Sequence, residues 1–254
     1  MSIPCQTQTR KYLYNLQMLQ PLRFLAPLIF ALIPTSVFAA DVKVSLMTGP
    51  TGVRYHFFDK GDLAFGWETK RPSKTDSKIK FCIPAAFTTT TDTIVGIYSY
   101  KGNVYNAKAI SKTIGGAILI EGGKFEIFPI EKGAKFTPEF IASLRERRAS
   151  LFQQYQLVQN KTAASFKDKK KFQMRAIVKF SDGREGVVES FKAIDFKTFN
   201  EDLVALGVQD ALYTDMGAWD EGWFRLPSQE KVVPIGNDRS KTNKQTNWAI
   251  FYQR

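Results

Sequence analysis

A carboxylate and a glycine follow a short apolar run near the C-terminus of this 254-residue chain. The run covers residues 211–214, ends at Asp215, and is followed two residues later by Gly217. A sheet fixes a side chain that stands at the end of a buried strand, while the loop behind the strand leaves it accessible. We therefore expect this junction to be the functional site. The alternative is that Asp215 only opens a turn.

The loop after Asp215 carries charged and aromatic side chains within a few residues. Two tryptophans four residues apart can stack on a sugar ring or pack the loop against the core, and we expect one of each. The charged residues either contact substrate or belong to a solvated loop. The candidate substrate-binding residues of this segment are Gly217, Trp219, Asp220, Glu221, Trp223 and Arg225.

Two further residues could contribute to a site. Arg175 lies in an apolar segment between Met174 and Ala176, where a buried guanidinium is costly unless an anion pairs with it. His56 is the one histidine of the chain and titrates near neutral pH, so it could bind substrate or act as an acid. Its aromatic neighbours favour a structural role instead.

The N-terminal segment predicts export. Arg10, Lys11 and Arg23 precede an apolar run over residues 24–32, and small residues before position 40 suit cleavage by signal peptidase. We interpret residues 1–39 as a signal peptide, with Met1 or Met18 as the start, and expect a periplasmic or extracellular protein. The apolar run is shorter than the ~20 residues that a span needs, so no stable membrane anchor is expected.

The positive charge does not favour nucleic acid as a partner. The net charge is +12, and losing three basic residues with the signal peptide gives 12 − 3 = +9. The lysines are spread along the chain, and an exported protein rarely meets nucleic acid. A basic surface instead suits anionic sugar-phosphate or carbohydrate ligands, or solubility alone. The oligomeric state is not predicted.

Cysteine and metal chemistry have few candidates. Cys82 remains alone in the mature chain, so an internal disulfide is excluded, and its apolar surroundings indicate a buried small hydrophobe. The sequence contains no recognised metal-ligand spacing, and we predict no metal and no cofactor. A divalent cation held by Asp215 and backbone carbonyls is left open.

Short apolar runs separated by turn residues predict a β-rich first half. Residues 54–58 and 63–67 flank a turn and suggest a hairpin. From Pro138, apolar residues recur at helical spacing to Val158, which predicts a long amphipathic helix ending near Asn160. We expect one α+β domain over residues 40–254, with a mixed, largely antiparallel sheet, flanking helices and a helical embellishment at about residues 138–171.

The second half predicts strand, hairpin, helix and strand in that order. Residues 172–180 and 187–191 flank a turn at residues 181–184. Thr198 and Glu201 have the spacing of a capping box, and Gly207 stands where a helix commonly ends. A strand then leads to Asp215, and residues 247–252 predict a closing strand.

Three stretches, at residues 83–103, 174–183 and 206–217, resemble the phosphodiester glycosidase family, which includes exported bacterial members. Residues 83–87 with 95–98 and 101–103 are similar to one family segment, and Arg175 with the Asp182-Gly183 turn is similar to a second. The third is the most specific, because it keeps the spacing from Gly207 to Asp215 and Gly217. The resemblance covers roughly residues 80–252.

The resemblance implies hydrolysis of a sugar-phosphate diester or a related glycosidic bond. Asp215 would be the catalytic base or nucleophile. Arg175 would clamp the phosphate with two parallel donors, unless it only forms an ion pair with Asp215. Where the family has a loop serine, this chain has Ala218 and Trp219. The alternative is therefore a catalytically silent protein that binds a glycan or phospho-polymer of the cell envelope.

Overall fold

The computed structural model describes residues 41–227 and 231–254. The predicted signal peptide and both possible start methionines lie outside the described residues, so export stays a prediction. The first nine strands are β1 (Lys43–Thr48), β2 (Arg54–Asp59), β3 (Ala64–Glu68), β4 (Ile79–Pro84), β5 (Tyr98–Tyr100), β6 (Asn103–Tyr105), β7 (Gly116–Glu121), β8 (Lys124–Pro129) and β9 (Ser150–Gln154). The others are β10 (Gln156–Gln159), β11 (Thr162–Ala163), β12 (Arg175–Phe180), β13 (Glu185–Ser190), β14 (Val208–Tyr213), β15 (Trp223–Arg225), β16 (Val232–Pro234) and β17 (Trp248–Tyr252).

Antiparallel sheets dominate the fold, and two α-helices, α1 (Pro138–Glu146) and α2 (Phe196–Ala205), accompany them. The first sheet has seven strands in the order β1-β2-β13-β12-β14-β10-β11. The second has the order β16-β15-β4-β17-β3, and the third β6-β5-β9-β7-β8. The strand pairings within these sheets are antiparallel. The predicted largely antiparallel core is confirmed, with less helix than expected.

The three sheets share one apolar core. Phe58, Ile177 and Leu212 of the first sheet lie in the same cluster as Phe81 of the second and Phe152 of the third. On the outer face of the first sheet, a separate cluster includes Phe199 and Leu203 of α2. Helix α1 contributes Leu144 to a cluster on the third sheet.

Both faces of the first sheet are therefore buried, which explains the near-continuous apolar run of β12. Ala176 and Val178 belong to the cluster under α2, whereas Ile177 belongs to the shared core. Because side chains alternate along a strand, Arg175 lies on the same face as Ile177 and points toward the shared core. The sheet thus fixes the side on which the guanidinium is buried.

The hairpin predicted between residues 54–58 and 63–67 is wrong. Strand β2 lies between β1 and β13, and β3 pairs with β17 in the second sheet. The turn at residues 59–63 carries the chain from one sheet to the next, and the Lys60 ammonium donates to the carbonyl of Leu63 at 2.9 Å. Turn residues indicate a change of direction but not the sheet that receives the following strand.

The long helix predicted to end near Asn160 is also wrong, because α1 ends at Glu146. Arg148 adopts a left-handed conformation with φ of 52°, and the Ala149 N–H bonds back to Leu144 O at 2.9 Å. The chain then enters β9, between β5 and β7. In place of the embellishment at residues 138–171, the structure has α1, β9, β10 and β11. The apolar residues at helical spacing misled the prediction, because β9 is buried on both faces and includes the buried Gln153 and Gln154.

Several local predictions are confirmed. The turn at residues 181–184 joins the antiparallel strands β12 and β13, and β17 is the predicted closing strand. Gly207 follows α2 with φ of 92°. The capping interaction differs, since the Asp195 carboxylate accepts from the Thr198 N–H at 2.8 Å. Within the described ranges, no helix is both long and apolar enough to cross a membrane.

Candidate active site

Asp215 follows β14 directly and contacts the segment after β4. Its backbone N–H donates to Ala85 O at 2.9 Å, and its Oδ2 accepts from the Thr88 N–H at 3.1 Å. Residues 83–87 and Asp215 belong to two of the stretches that carry the family resemblance. The structure brings these two stretches into contact, although they are more than a hundred residues apart in the sequence.

The carboxyl group of Asp215 is largely shielded from solvent. Asp215 is 5% exposed, and burial raises its pKa to about 7. Hydrogen bonds from the Thr88 and Met216 backbone oppose that pKa shift, and the charge of Asp220 adds to it. At neutral pH both the neutral and the ionised form are populated, which is the condition for transferring a proton in either direction.

This pKa makes stability depend on pH in a defined direction. Because the folded state holds the Asp215 proton more tightly than the unfolded state, stability is expected to fall as pH rises from about 4 through 7. Asp215→Asn removes that dependence. At about 1.4 kcal/mol per pKa unit, the variant should gain on the order of 2 kcal/mol relative to wild type between pH 5 and pH 8. Urea unfolding of wild type and Asp215→Asn at pH 5 and pH 8 measures the stability difference between them. A difference that is the same at both pH values would contradict the prediction.

Two buried amides hold the segment that faces Asp215. Asn247 is fully buried; its Oδ1 accepts from the Ala86 N–H at 2.7 Å, and its Nδ2 donates to Ala86 O at 3.0 Å. The Gln154 amide donates to Ala85 O at 3.2 Å. The backbone around Thr88 is therefore fixed from the second and third sheets. The position of the Asp215 carboxylate depends on this support.

Arg175 is fully buried and paired with two carboxylates. Its Nη1 and Nη2 donate to the two oxygens of Asp220 at 2.9 and 3.0 Å, and its Nε donates to Glu189 at 2.6 Å. Burial alone would lower the pKa of the guanidinium, but the two carboxylates raise it above its ordinary value. The ion pair that we considered with Asp215 is instead made with Asp220 and Glu189.

The register of the first sheet extends this charged row toward the surface. Glu189 lies opposite Arg175, and His56 lies opposite Glu189 on the next strand. The imidazole of His56 stacks on Phe191 with centroids 4.1 Å apart, and its pKa is lowered by partial burial and raised in part by Glu189. His56 therefore stands at the outer end of the row, separated from Asp215 by β13 and β12.

Two glycines form the wall around the Arg175–Asp220 pair. A side chain at Gly222 would contact Ile235 and approach the Arg175 Nη2 to 3.2 Å, and one at Gly236 would overlap the Asp220 carboxylate. The Ile235 N–H donates to Gly222 O at 2.9 Å. The absence of side chains at these two positions leaves room for Asp220 to pair with the guanidinium.

We expect Gly236→Ala to destabilise the protein and displace Asp220. The new methyl group would overlap the Asp220 carboxylate, and the backbone has φ of 81°. Overpacking typically costs about 1–3 kcal/mol, and a left-handed alanine adds about 1 kcal/mol. Gly52→Ala is the matched control, because Gly52 has φ of 76° with open space around it. Equal losses in urea unfolding for both variants would contradict the proposed steric role.

The tryptophans of the loop have different environments. Trp223 is 2% exposed and packs with Cys82 and Trp248 on the outer face of the second sheet. Trp219 ends a short 3-10 turn, Gly217–Trp219, and is half-buried. Trp223 is thus buried by packing, whereas Trp219 keeps part of its surface exposed, and its contact with a ligand stays a prediction. Cys82 is buried as expected, and burial raises the pKa of its thiol.

Glu221 and Arg225 hold a neighbouring loop. Glu221 pairs with Arg71 and Lys74, and the Arg225 guanidinium donates to carbonyls of Lys74 and Ile79. These contacts attach the segment after β3 to β15. The structure therefore places Glu221 and Arg225 beside this loop, away from the contacts that Asp215 makes.

The sequence interpretation missed the residues that support the site from other strands. Glu189, Thr88, Asn247 and Gly236 were not among the candidates, although Glu189 also stands in an apolar run. Among residues 41–227 and 231–254, no group of three or more His, Cys, Asp or Glu is placed to hold a metal ion. A cavity of about 570 Å³ opens elsewhere, lined by residues such as Trp67, Lys101 and Tyr252, and includes none of the predicted site residues.

The fold and the site together place the protein in a structural class. Antiparallel sheets surround a shared core, and a buried carboxyl group with a raised pKa lies at the end of a strand. Comparison with solved structures finds proteins of similar fold. The catalytic domain of zebrafish N-acetylglucosamine-1-phosphodiester alpha-N-acetylglucosaminidase, auto-inhibited by its pro-peptide, aligns with a TM-score of 0.56 and 10% identity. The alignment covers 84% of this chain and 83% of that domain.

A hypothetical protein from Synechocystis is a second structural neighbour, with a TM-score of 0.51 and 11% identity over 85% of this chain and 64% of that one. At such identities the similarity establishes a remote fold relationship alone. A scan against protein-family models finds no match. A search of curated proteins finds none either.

Proposed function

We propose that the protein is a hydrolase that cleaves a sugar-phosphate diester or a related glycosidic bond at Asp215. The observation that carries the proposal is the Asp215 carboxyl group, buried at a strand end with a pKa near 7. The fold shared with a phosphodiester glycosidase domain supports the choice of substrate class. The family resemblance in three sequence stretches supports it independently.

In the proposed reaction Asp215 acts as a general base. Its ionised form takes a proton from water while the water oxygen bonds to the anomeric carbon of the sugar. The bond between that carbon and the phosphate oxygen breaks, and the phosphate leaves as a monoester. A general base works best when its pKa is near the working pH, because a large fraction of it is then ionised while it still takes up a proton readily. The neutral form of Asp215 can then return the proton to solvent.

For Arg175 we favour a positioning role over the phosphate clamp. Both terminal nitrogens already donate to Asp220, and the side chain has no solvent exposure. Arg175 would fix Asp220, whose negative charge contributes to the raised pKa of Asp215. The loop at Gly217 and the half-buried Trp219 would contact the sugar. Phosphate recognition would then fall to exposed basic residues.

The proposal also places the substrate outside the cytoplasm. The N-terminal segment has the composition of a cleaved signal, and cell-envelope glycans and phosphorylated polymers occur in that compartment. Mass spectrometry of protein recovered from the periplasm or medium of the host would test this step. A mature N-terminus near residue 40 is expected, and retention of residues 1–39 in the cytoplasm would contradict it.

Turnover of a substrate panel tests the proposed activity. Purified protein is incubated with glycosyl phosphodiesters that differ in sugar, and release of the phosphomonoester is measured. We expect hydrolysis of at least one member by wild type and its loss in Asp215→Asn. Binding of these compounds without hydrolysis by either protein would favour the catalytically silent binding protein.

A further inference from the structure

A cavity of about 350 Å³ lies beside the candidate active site, and three tyrosines of β5 and β6 form one side of it. The rings of Tyr98 and Tyr105 stack with centroids 4.9 Å apart and an interplanar angle of 13°. Trp67 packs edge-on against Tyr98 at 5.9 Å and against Tyr100 at 6.1 Å. The buried indole thus holds the tyrosines in place, and they form a preorganised aromatic surface.

Polar groups complete the cavity. Asp92 and Asn106 both line it, and both adopt left-handed backbone conformations, with φ of 59° and 53°. Aspartate and asparagine tolerate this region better than other residues, yet such conformations concentrate at functional sites. Among the residues that the structure describes, neither the Tyr98 nor the Tyr105 hydroxyl makes a hydrogen bond. The cavity therefore offers the hydroxyl groups of Tyr98 and Tyr105 to a ligand, whereas the Asn106 amide already donates to Ile94 O at 3.3 Å.

The charge of the cavity wall is balanced. The Asp92 carboxylate lies 3.5 Å from the Lys244 ammonium, and the remaining lining residues are threonines, tyrosines, an isoleucine and Asn106. A ligand rich in neutral hydroxyl groups suits this lining better than an anion does. The volume of the cavity falls at the lower end of the range of about 300–1,000 Å³ for small-molecule sites.

Two threonines connect the wall of the cavity to Asp215 through hydrogen bonds. Thr246 lines the cavity, and its hydroxyl lies 3.0 Å from that of Thr88. The backbone N–H of Thr88 donates to the Asp215 carboxylate at 3.1 Å. One residue therefore separates the cavity wall from the proposed catalytic group.

We propose that this cavity is a subsite for a neutral sugar ring of a saccharide chain, adjacent to the bond that Asp215 would cleave. This assignment rests on the proposed function for the place of cleavage, but binding itself does not require turnover. Tyrosine gives a large, rigid contact surface at a low cost in side-chain entropy. Tyr105, which is 44% exposed, would be the main contact for the sugar.

Calorimetric titration of the full chain with neutral tetrasaccharides tests the subsite. Cellotetraose, maltotetraose and the β-1,4-linked N-acetylglucosamine tetramer are titrated into Asp215→Asn, with and without Tyr105→Ala or Tyr105→Phe. We expect at least one tetrasaccharide to bind, a loss of about tenfold in affinity with Tyr105→Ala, and a smaller loss with Tyr105→Phe, which keeps the ring. Phe191→Ala, which alters another exposed aromatic residue, should leave the affinity unchanged.

The outcomes separate the subsite from the proposed reaction. Absence of binding by all three tetrasaccharides, or equal affinity in Tyr105→Ala, overturns the subsite. Tyr105-dependent binding without hydrolysis of any glycosyl phosphodiester supports the subsite and removes the proposed activity. Asp215-dependent hydrolysis with the same KM in Tyr105→Ala supports the activity and overturns the subsite.

Discussion

Asp215→Asn is expected to lower kcat for the substrate by about 10²–10⁴-fold, the usual contribution of a positioned general base. The amide keeps the size of the side chain and can still accept from the Thr88 N–H, but it cannot take a proton from water. Binding should change little, so the loss should appear in kcat more than in KM. Steady-state kinetics on the best glycosyl phosphodiester measure both.

The pH profile of the wild-type enzyme gives an independent check. Because a base must be ionised, kcat/KM should rise with pH through an apparent pKa near 7. Asp210→Asn is the matched control, since Asp210 lies on the same strand and its carboxylate accepts from the Asn160 N–H. Wild-type turnover by Asp215→Asn, or an activity that does not depend on pH between 5 and 8, would exclude the proposed base.

Arg175→Met is expected to lower the free energy of unfolding by about 3–5 kcal/mol, the cost of leaving buried charges without their partner. Glu189 and Asp220 are 3% and 1% exposed, so water cannot replace the guanidinium. Urea unfolding measures the loss. Arg147→Met, which breaks an exposed ion pair with Glu121, should cost less than about 1 kcal/mol.

A compensated variant separates charge from packing. Arg175→Met combined with Glu189→Gln and Asp220→Asn removes all three charges and should recover part of the lost stability. A single Arg175→Met variant as stable as wild type would show that the two carboxylates find other partners. A triple variant less stable than Arg175→Met would show that the hydrogen-bond geometry matters more than the charges.

Local signals in the sequence predicted many strands and turns but not their assembly. The hairpin turn around Asp182 and the closing strand are encoded by neighbouring residues, and the structure contains both. The turn after Asp59 joins two sheets, which depends on where distant strands lie. The prediction of a helix beyond Glu146 was wrong, because tertiary contacts decide whether this segment forms a helix or a strand. Gln153, for example, lies buried in β9, where it accepts from the Ile97 N–H at 2.9 Å.

The site was partly accessible to sequence reasoning. A buried arginine requires an anion, and this argument held for Arg175, although the partner chosen was wrong. The hairpin turn at residues 181–184 sets the register that places Glu189 opposite Arg175, so that partner could have been derived. The contact between Asp220 and Gly236 could not have been derived from the sequence, because the two loops come together only through the packing of the folded chain. The contact of Asp215 with Thr88 likewise depends on how the sheets pack.

The enclosure of Arg175 has a consequence for how this protein can change over generations. Four groups fit one another here: the Arg175 guanidinium, the Glu189 and Asp220 carboxylates, and the backbone without a side chain at Gly236. A replacement at one of these positions therefore destabilises the protein as long as the other three residues are unchanged. The same replacement can become tolerable once a second has occurred. Viable sequences should therefore differ at these positions by whole sets of residues, and paths of single substitutions between such sets should pass through poorly folding intermediates.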